Sequence, residues 1–199
     1  MSKIIVGLGN PDPEYTGTRH SIGRFLVQNV SRKFGDSEWK INKKTKNLEA
    51  VVEIEGKRIK LYLPQAFMNN SGAAVKPLVT SVKVARDLIV IYDDLDLPLG
   101  VVKLSFNRGS GGHKGIESIV RAIKTEAFIR IRIGIAARTA SGKTKKPTGD
   151  EAVVKHILGN FSKKDEEVLK KIAKVVNDAV TLLCTVGYEM AANKINSLK

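Results

Sequence analysis

Along the chain, short continuous apolar runs alternate with segments whose apolar residues recur every three or four positions. "KIIVGLG" is a β-branched run closed by glycine, and residues 20–34 place Ile22, Phe25, Leu26, Val30 and Phe34 on one helical face. "LEAVVEIEGKRIKLYLP" predicts two strands about a Glu55-Gly56 turn, and "FMNNSGAAVKPLVTSV" predicts a helix that Pro77 bends or interrupts. "DLIVIYDD" is apolar almost throughout its first half, as a strand covered on both faces is. "GVVKLSF" adds a strand, "GIESIVRAIKT" a helix, and "FIRIRIGIA" a strand that alternates strictly in its first half. Residues 162–183 predict a long helix, with Ser162 and Asp165 spaced as a capping box. Its apolar stripe runs through Val168, Leu169, Ile172, Val175, Val176, Ala179, Leu182 and Leu183. The polar, basic stretch "RTASGKTKKPTGDE" reads as a mobile loop near 138–150.

Strands alternating with helices predict an α/β fold. The expected form is a single three-layer domain over residues 1–199, with a twisted, mostly parallel (mixed) central sheet and helices on both faces. A chain of 199 residues with 42% hydrophobic content can bury one sizeable core without a second domain. The one cysteine, Cys184, excludes an internal disulfide framework and a four-cysteine zinc cluster, and its apolar neighbours make it a buried structural thiol. Met1-Ser2-Lys3 leads straight into a strand-length apolar run, too short for a signal peptide, and no run approaches a membrane span. A soluble cytoplasmic protein with no membrane partner is expected.

The formal net charge of +14 changes the picture. Basic residues cluster at Arg32, Lys33, Lys40, Lys43, Lys44 and Lys46, and again at Arg138, Lys143, Lys145 and Lys146. Such a surface attracts polyanions through counterion release, although a lysine-rich surface also serves solubility alone. In an α/β sheet, ligands gather beyond the carboxyl ends of the strands. There the first strand delivers Asn10, "RIKLYL" leads to Phe67, Met68 and Asn69, and "LIVIY" ends in Asp93, while His20 stands at the first turn of the first helix.

A helix N-terminus favours a neutral imidazole, and a carboxylate beside it would orient the ring and stabilise the proton it gains, so His20 with Asp93 can form a water-activating base. Asn10 and Asn69 can donate and accept, which suits a peptide-like carbonyl and amide. On the residues alone other readings stay open. His113 lies in a glycine-rich loop and could touch a ligand, His156 in "VVKHILG" reads as structural, and "DDLD" could hold a divalent metal through oxygen ligands. Two nucleotide motifs fail. "GLGNPD" has Asp12 for the third fingerprint glycine and prolines where the helix should start. "ARTASGKT" has Ala137 for the first phosphate-loop glycine, and "KKPTGD" follows in place of a helix. "GSGGHKG" more naturally lets backbone approach a ligand, with Lys114 beside phosphates or a terminal ribose.

"GLGNPDPEYTGTRHSIG", "LPQAFMNNSG", "IYDDLDLPLG", "RGSGGHKGIESI" and "FIRIRIGI" resemble, in the same order, the motif blocks of bacterial-type peptidyl-tRNA hydrolases across essentially the whole chain. The resemblance implies cleavage of the ester joining a peptide to the 3′-terminal ribose of tRNA, by a monomer that needs no cofactor and no metal. Carried over by position, it makes His20 the catalytic base and Asp93 the carboxylate that stabilises its protonated form. Asn10 becomes a residue that positions substrate and distinguishes N-blocked from free aminoacyl-tRNA. Tyr15, Phe67 and Asn69 fall at substrate-contacting positions, and Lys103 and Arg132 in blocks associated with the tRNA backbone. The chain departs from the family pattern at Lys114, where an Asn is common, at Ser21 and Asp12, and in "AARTAS" after Ile135. The alternative is a non-catalytic RNA-binding member of the same fold, which would not require His20 paired with Asp93.

Overall fold

A computed structural model describes residues 3–35, 38–139 and 144–198. The first apolar run forms β1 (Ile4–Gly7), and α1 (Ile22–Phe34) follows a 3₁₀ turn at Arg19–Ser21. A short edge strand β2 (Lys40–Asn42) precedes the hairpin of β3 (Asn47–Ile54) and β4 (Lys57–Pro64). Its turn is made where it was expected, with Glu55 and Gly56 at φ 50° and 71°. The stretch around Pro77 is interrupted rather than continuous. A 3₁₀ turn at Met68–Asn70 leads into α2 (Ser71–Val75), Pro77 sits in a second 3₁₀ turn at Lys76–Leu78, and α3 (Val82–Ala85) follows. The remaining elements are β5 (Leu88–Pro98), β6 (Val102–Phe106), α4 (Lys114–Ile123), β7 (Ile129–Arg138), β8 (Thr144–Lys145), α5 (Asp150–Leu158), α6 (Glu166–Thr185) and α7 (Tyr188–Asn196).

The sheet order is β2-β3-β4-β1-β5-β7-β6, with β8 paired to β7. The four central strands β4, β1, β5 and β7 run parallel, and the flanking pairs are antiparallel, so the sheet is mixed with a parallel middle. Alternate residues of the central strands feed two cores. On one face Ile5, Ile89, Ile91, Ile131 and Ile133 meet Leu26 and Val30 of α1, Val176 and Leu183 of α6, and Ile195 of α7. On the other, Val6, Val90 and Tyr92 meet Val75 of α2 and Ile116 and Ile119 of α4. The result is the expected three layers.

Four differences from the sequence reading bear on the site. β5 does not end at Asp93 but continues to Pro98 after an irregularity between Asp94 and Pro98. Residues 129–136 are all buried despite the strict alternation of arginine and isoleucine. The basic stretch 138–150 is partly ordered into sheet, since Thr144 and Lys145 pair with Arg138 and Ala137. Residues 140–143, the "ASGK" of the "ARTASGKT" phosphate-loop candidate, lie outside the described residues. The last long helix starts at the Ser162–Asp165 capping box, runs on to Thr185, and is followed after Gly187 by α7. The Asn196 side chain accepts from Leu104 N at 2.8 Å and donates to Leu104 O at 3.0 Å, standing in for a strand along the outer edge of β6.

Candidate active site

The buried Asp93 side chain is the centre of the site. Both its oxygens lie 3.0 Å from His20 Nδ1, and Oδ1 is also 3.1 Å from His113 Nε2. All three side chains are nearly enclosed, at 3%, 10% and 8% exposure for Asp93, His20 and His113. Their elements explain the convergence: β5 carries Asp93 through the middle of the sheet, the 3₁₀ turn before α1 carries His20, and His113 is the N-cap of α4. His113 Nδ1 accepts from the backbone N–H groups of Gly115 (3.1 Å) and Ile116 (3.3 Å), which α4 would otherwise leave unpaired. That capping fixes the tautomer. A nitrogen accepting two N–H groups carries no proton, so the neutral ring bears its hydrogen on Nε2 and donates it to Asp93.

Asp93 thus receives two N–H donors. Burial would raise its pKa, but the charge of a protonated His20 and the hydrogen bonds from both rings outweigh it, and the carboxyl is held well below its ordinary range. For His20, burial opposes the charged form, yet the charge and hydrogen bond of Asp93 prevail, and the pKa lies above the ordinary 6.5. The close carboxylate thus acts against the preference of a helix N-terminus for the neutral ring. With Nδ1–H turned to Asp93, His20 keeps the Nε2 lone pair for a proton from elsewhere. His20 borders a cavity of ≈ 550 Å³, between Ser110, Gly111, Gly112 and Lys114 on one side and Val153, Val154 and Ile157 of α5 on the other.

Asn10 is tied to the same assembly. Its Oδ1 accepts from Met68 N at 2.8 Å, leaving the NH₂ group as the donor available to a ligand. Met68 in turn lies against the first turn of α4, where a Cβ on Gly115 would come within 2.5 Å of the Met68 sulfur. Phe67 and Asn69, on either side of buried Met68, are exposed.

Comparison with known proteins decides the family: the peptidyl-tRNA hydrolase family model matches residues 4–199. The chain belongs to the peptidyl-tRNA hydrolase family. A peptidyl-tRNA hydrolase of Hydrogenobaculum sp. is 42% identical over 172 residues, covering 86% of this chain and 85% of that protein. One from Dehalococcoides mccartyi is 39% identical over 197 residues, covering 98% of this chain and 100% of that protein. The crystal structure of peptidyl-tRNA hydrolase from Acinetobacter baumannii superposes with a TM-score of 0.87 at 32% identity, covering 100% of this chain and 96% of that one.

The other family positions are placed unevenly. Tyr15 ends the 3₁₀ turn Pro13–Tyr15 and its carbonyl accepts from Thr18 Oγ1, so it shapes the return of the chain from Asn10 to His20. Neither it nor Asn10, Phe67 or Asn69 lines the cavity beside His20. Lys114 is exposed on the cavity rim, 3.3 Å from Glu117. Lys103 and Arg132 face each other across β6 and β7. Arg132 is buried, its Nε donating to Asp94 Oδ2 at 2.7 Å, and Lys103 Nζ donates to Asn196 O at 2.5 Å. His156 is structural, as expected, with Nε2 donating to Ile135 O at 2.9 Å.

The acidic run divides among separate partners. Asp93 serves the two histidines, Asp94 takes Arg132, and Asp96 takes Lys146 at 2.7 Å. His20, Asp93 and His113 are close enough to be weighed together as metal ligands. The donor set does not fit, because His113 could ligate through Nε2 only by losing the proton there, and its Nδ1 is committed to the two N–H groups of α4. Sequence reasoning placed His113 at a ligand. Its part in holding Asp93 was signalled only by its position one residue before a helix, and histidine is not a usual cap.

Proposed function

We propose that this protein hydrolyses the ester between a peptide, or an N-blocked aminoacyl group, and the 3′-terminal ribose of tRNA. The observation that carries the reading is His20 held through Nδ1 by a buried carboxylate and bordering a cavity with its other nitrogen unspent. Nε2 takes a proton from water as the oxygen attacks the ester carbonyl, and Asp93 stabilises the imidazolium formed. The proton returns to the ribose oxygen as the C–O bond breaks, which closes the cycle without a covalent intermediate. An alkoxide leaves more readily than an amine, so one base and its carboxylate suffice. His113 keeps Asp93 in place and ionised. The NH₂ of Asn10 and the exposed Asn69 supply hydrogen bonds to the peptide, and Phe67 an apolar surface. A net charge of +14 favours a phosphate-rich substrate, with Lys103 and Lys114 as backbone contacts and Arg132, buried against Asp94, standing behind Lys103 on β7. A protein that only bound RNA would have no use for a buried carboxylate with two imidazole donors.

The test is release of N-acetylaminoacyl groups from tRNA by wild-type protein and by His20→Ala, each with and without chelator. The proposal expects wild-type turnover indifferent to chelator and a loss of about 10² to 10⁴ in the variant. An inactive wild type, or a variant at full rate, sinks it.

A further inference from the structure

Among the described residues Arg130 is the largest fully buried side chain, it carries a charge, and the mechanism makes no use of it. It lies on β7 opposite Val90, with Phe128 beneath its guanidinium at 4.5 Å from Cζ to ring centroid. One nitrogen, Nη1, donates to Gly109 O at 2.8 Å, while Nε and Nη2 are buried without a hydrogen-bond partner among the described residues. A buried guanidinium so incompletely paired is costly, and a well-packed apolar residue of similar size is often neutral or stabilising in its place. The side chain therefore makes little sense as a stabiliser.

Its hydrogen bond to Gly109 leads to the site. Gly109 opens the glycine-rich segment 109–112, in which Gly111 and Gly112 occupy the left-handed region at φ 62° and 82°. Glycines in this conformation leave a chain many alternatives to lose, so the segment needs fixed points. Beyond Gly109 the links are short. His113 N donates to Ser110 O, Gly112 N donates to Ser110 Oγ, and His113 Nε2 donates to Asp93. The His113 ring rests on the edge of Tyr92, 4.9 Å between centroids, and Tyr92 is an electrostatic neighbour of Arg130.

We propose that Arg130 is a positioning residue for the reaction: it fastens the start of the glycine-rich segment to the sheet, so that His113 reaches Asp93 in its capping tautomer. This rests on the proposed hydrolase function for its kinetic consequence, but not for its structural one. The test compares full-length wild-type protein with R130M, which removes the charge at similar length, and R130K, which keeps the charge without the fork. The measurements are the thermal midpoint, kcat and KM on N-acetylaminoacyl-tRNA, and hydrogen exchange of the Gly115 and Ile116 amides from which His113 accepts.

In R130M the proposal expects a midpoint no lower than wild type, exchange of those two amides at least about tenfold faster than at Ile119, and kcat about tenfold lower with KM within about twofold. R130K falls between. Unchanged kcat and exchange overturn it. So does a variant in which midpoint and kcat fall together and exchange accelerates throughout the protein, which would make Arg130 merely structural. If the wild type cleaves nothing, the hydrolase reading fails, and the exchange at Gly115 and Ile116 still decides whether Arg130 anchors the segment.

Discussion

Replacing Asp93 by Asn changes little in shape and reverses the proton arrangement of the site. His113 Nδ1 is committed to two backbone N–H groups, so its Nε2–H still needs an acceptor, and the Asn oxygen must serve it. The Asn NH₂ then faces His20 Nδ1. That nitrogen can only accept, so the ring proton moves to Nε2 and the lone pair that would take a proton from water is gone. The lost charge acts in the same direction. With N–O separations of 3.0 Å the imidazolium and carboxylate centres lie about 4 Å apart. At an effective dielectric constant of about 20 their attraction is ~4 kcal/mol, roughly a thousandfold in rate. Single-turnover hydrolysis of N-acetylaminoacyl-tRNA, with tRNA affinity measured separately, should show a loss of about 10³ with binding unchanged. The ¹⁵N spectrum of His20 should show the proton moved from Nδ1 to Nε2. A D93N variant within tenfold of wild type, or one that keeps the Nδ1–H tautomer, refutes the reasoning.

Further expectations follow from the same geometry. Because Asp93 raises the His20 pKa and the base must be neutral, the rate should fall with decreasing pH from an inflection above 6.5; an inflection below it would mean that burial dominates. The same shift carries a stability linkage. A raised His20 pKa contributes stability that is fully present below the unfolded value and is lost as pH rises through the folded value, whereas the depressed Asp93 pKa contributes stability above its unfolded value that is lost on acidification. His113→Ala should cost ~1 kcal/mol of stability through the lost cap. It should also cost about tenfold in rate through the lost donor to Asp93, whereas His113→Asn should recover the stability alone, as chemical denaturation and kinetics together would show. In Gly23→Ala the new Cβ would lie 2.1 Å from Ile91 O and 2.8 Å from Leu8 N and O, backbone atoms that cannot step aside. The expected cost of about 3 kcal/mol lowers Tm by roughly 6 to 12 °C in calorimetry.

Elements whose signal is local were legible in the sequence. The β3–β4 hairpin is written in a two-residue turn, the start of the last long helix in Ser162 and Asp165, and β5 in a continuous apolar run. What escaped depends on distant partners. α5 has no fully buried residue, so Val153, Val154 and Ile157 show no stripe until the cavity beside His20 is assembled. α7 buries only Ala191, Ala192 and Ile195, too little to mark a face. Arg130 and Arg132 alternate with isoleucines as if they faced water, because nothing local announces their distant partners, Gly109 for the one and Asp94 for the other. The pairing of His20 with Asp93 was readable from strand ends and a helix start. The second histidine was not, because its role joins capping and proton placement in one ring.

The amide of Asn196 closes the outer edge of β6 with the same pair of bonds a neighbouring strand would make. During synthesis this amide emerges 92 residues after Leu104, so the nascent sheet waits with an open margin until α7 has followed. A protein cut short just before Asn196 would keep its proton machinery intact and still be poorly behaved, offering that margin to the next copy of itself.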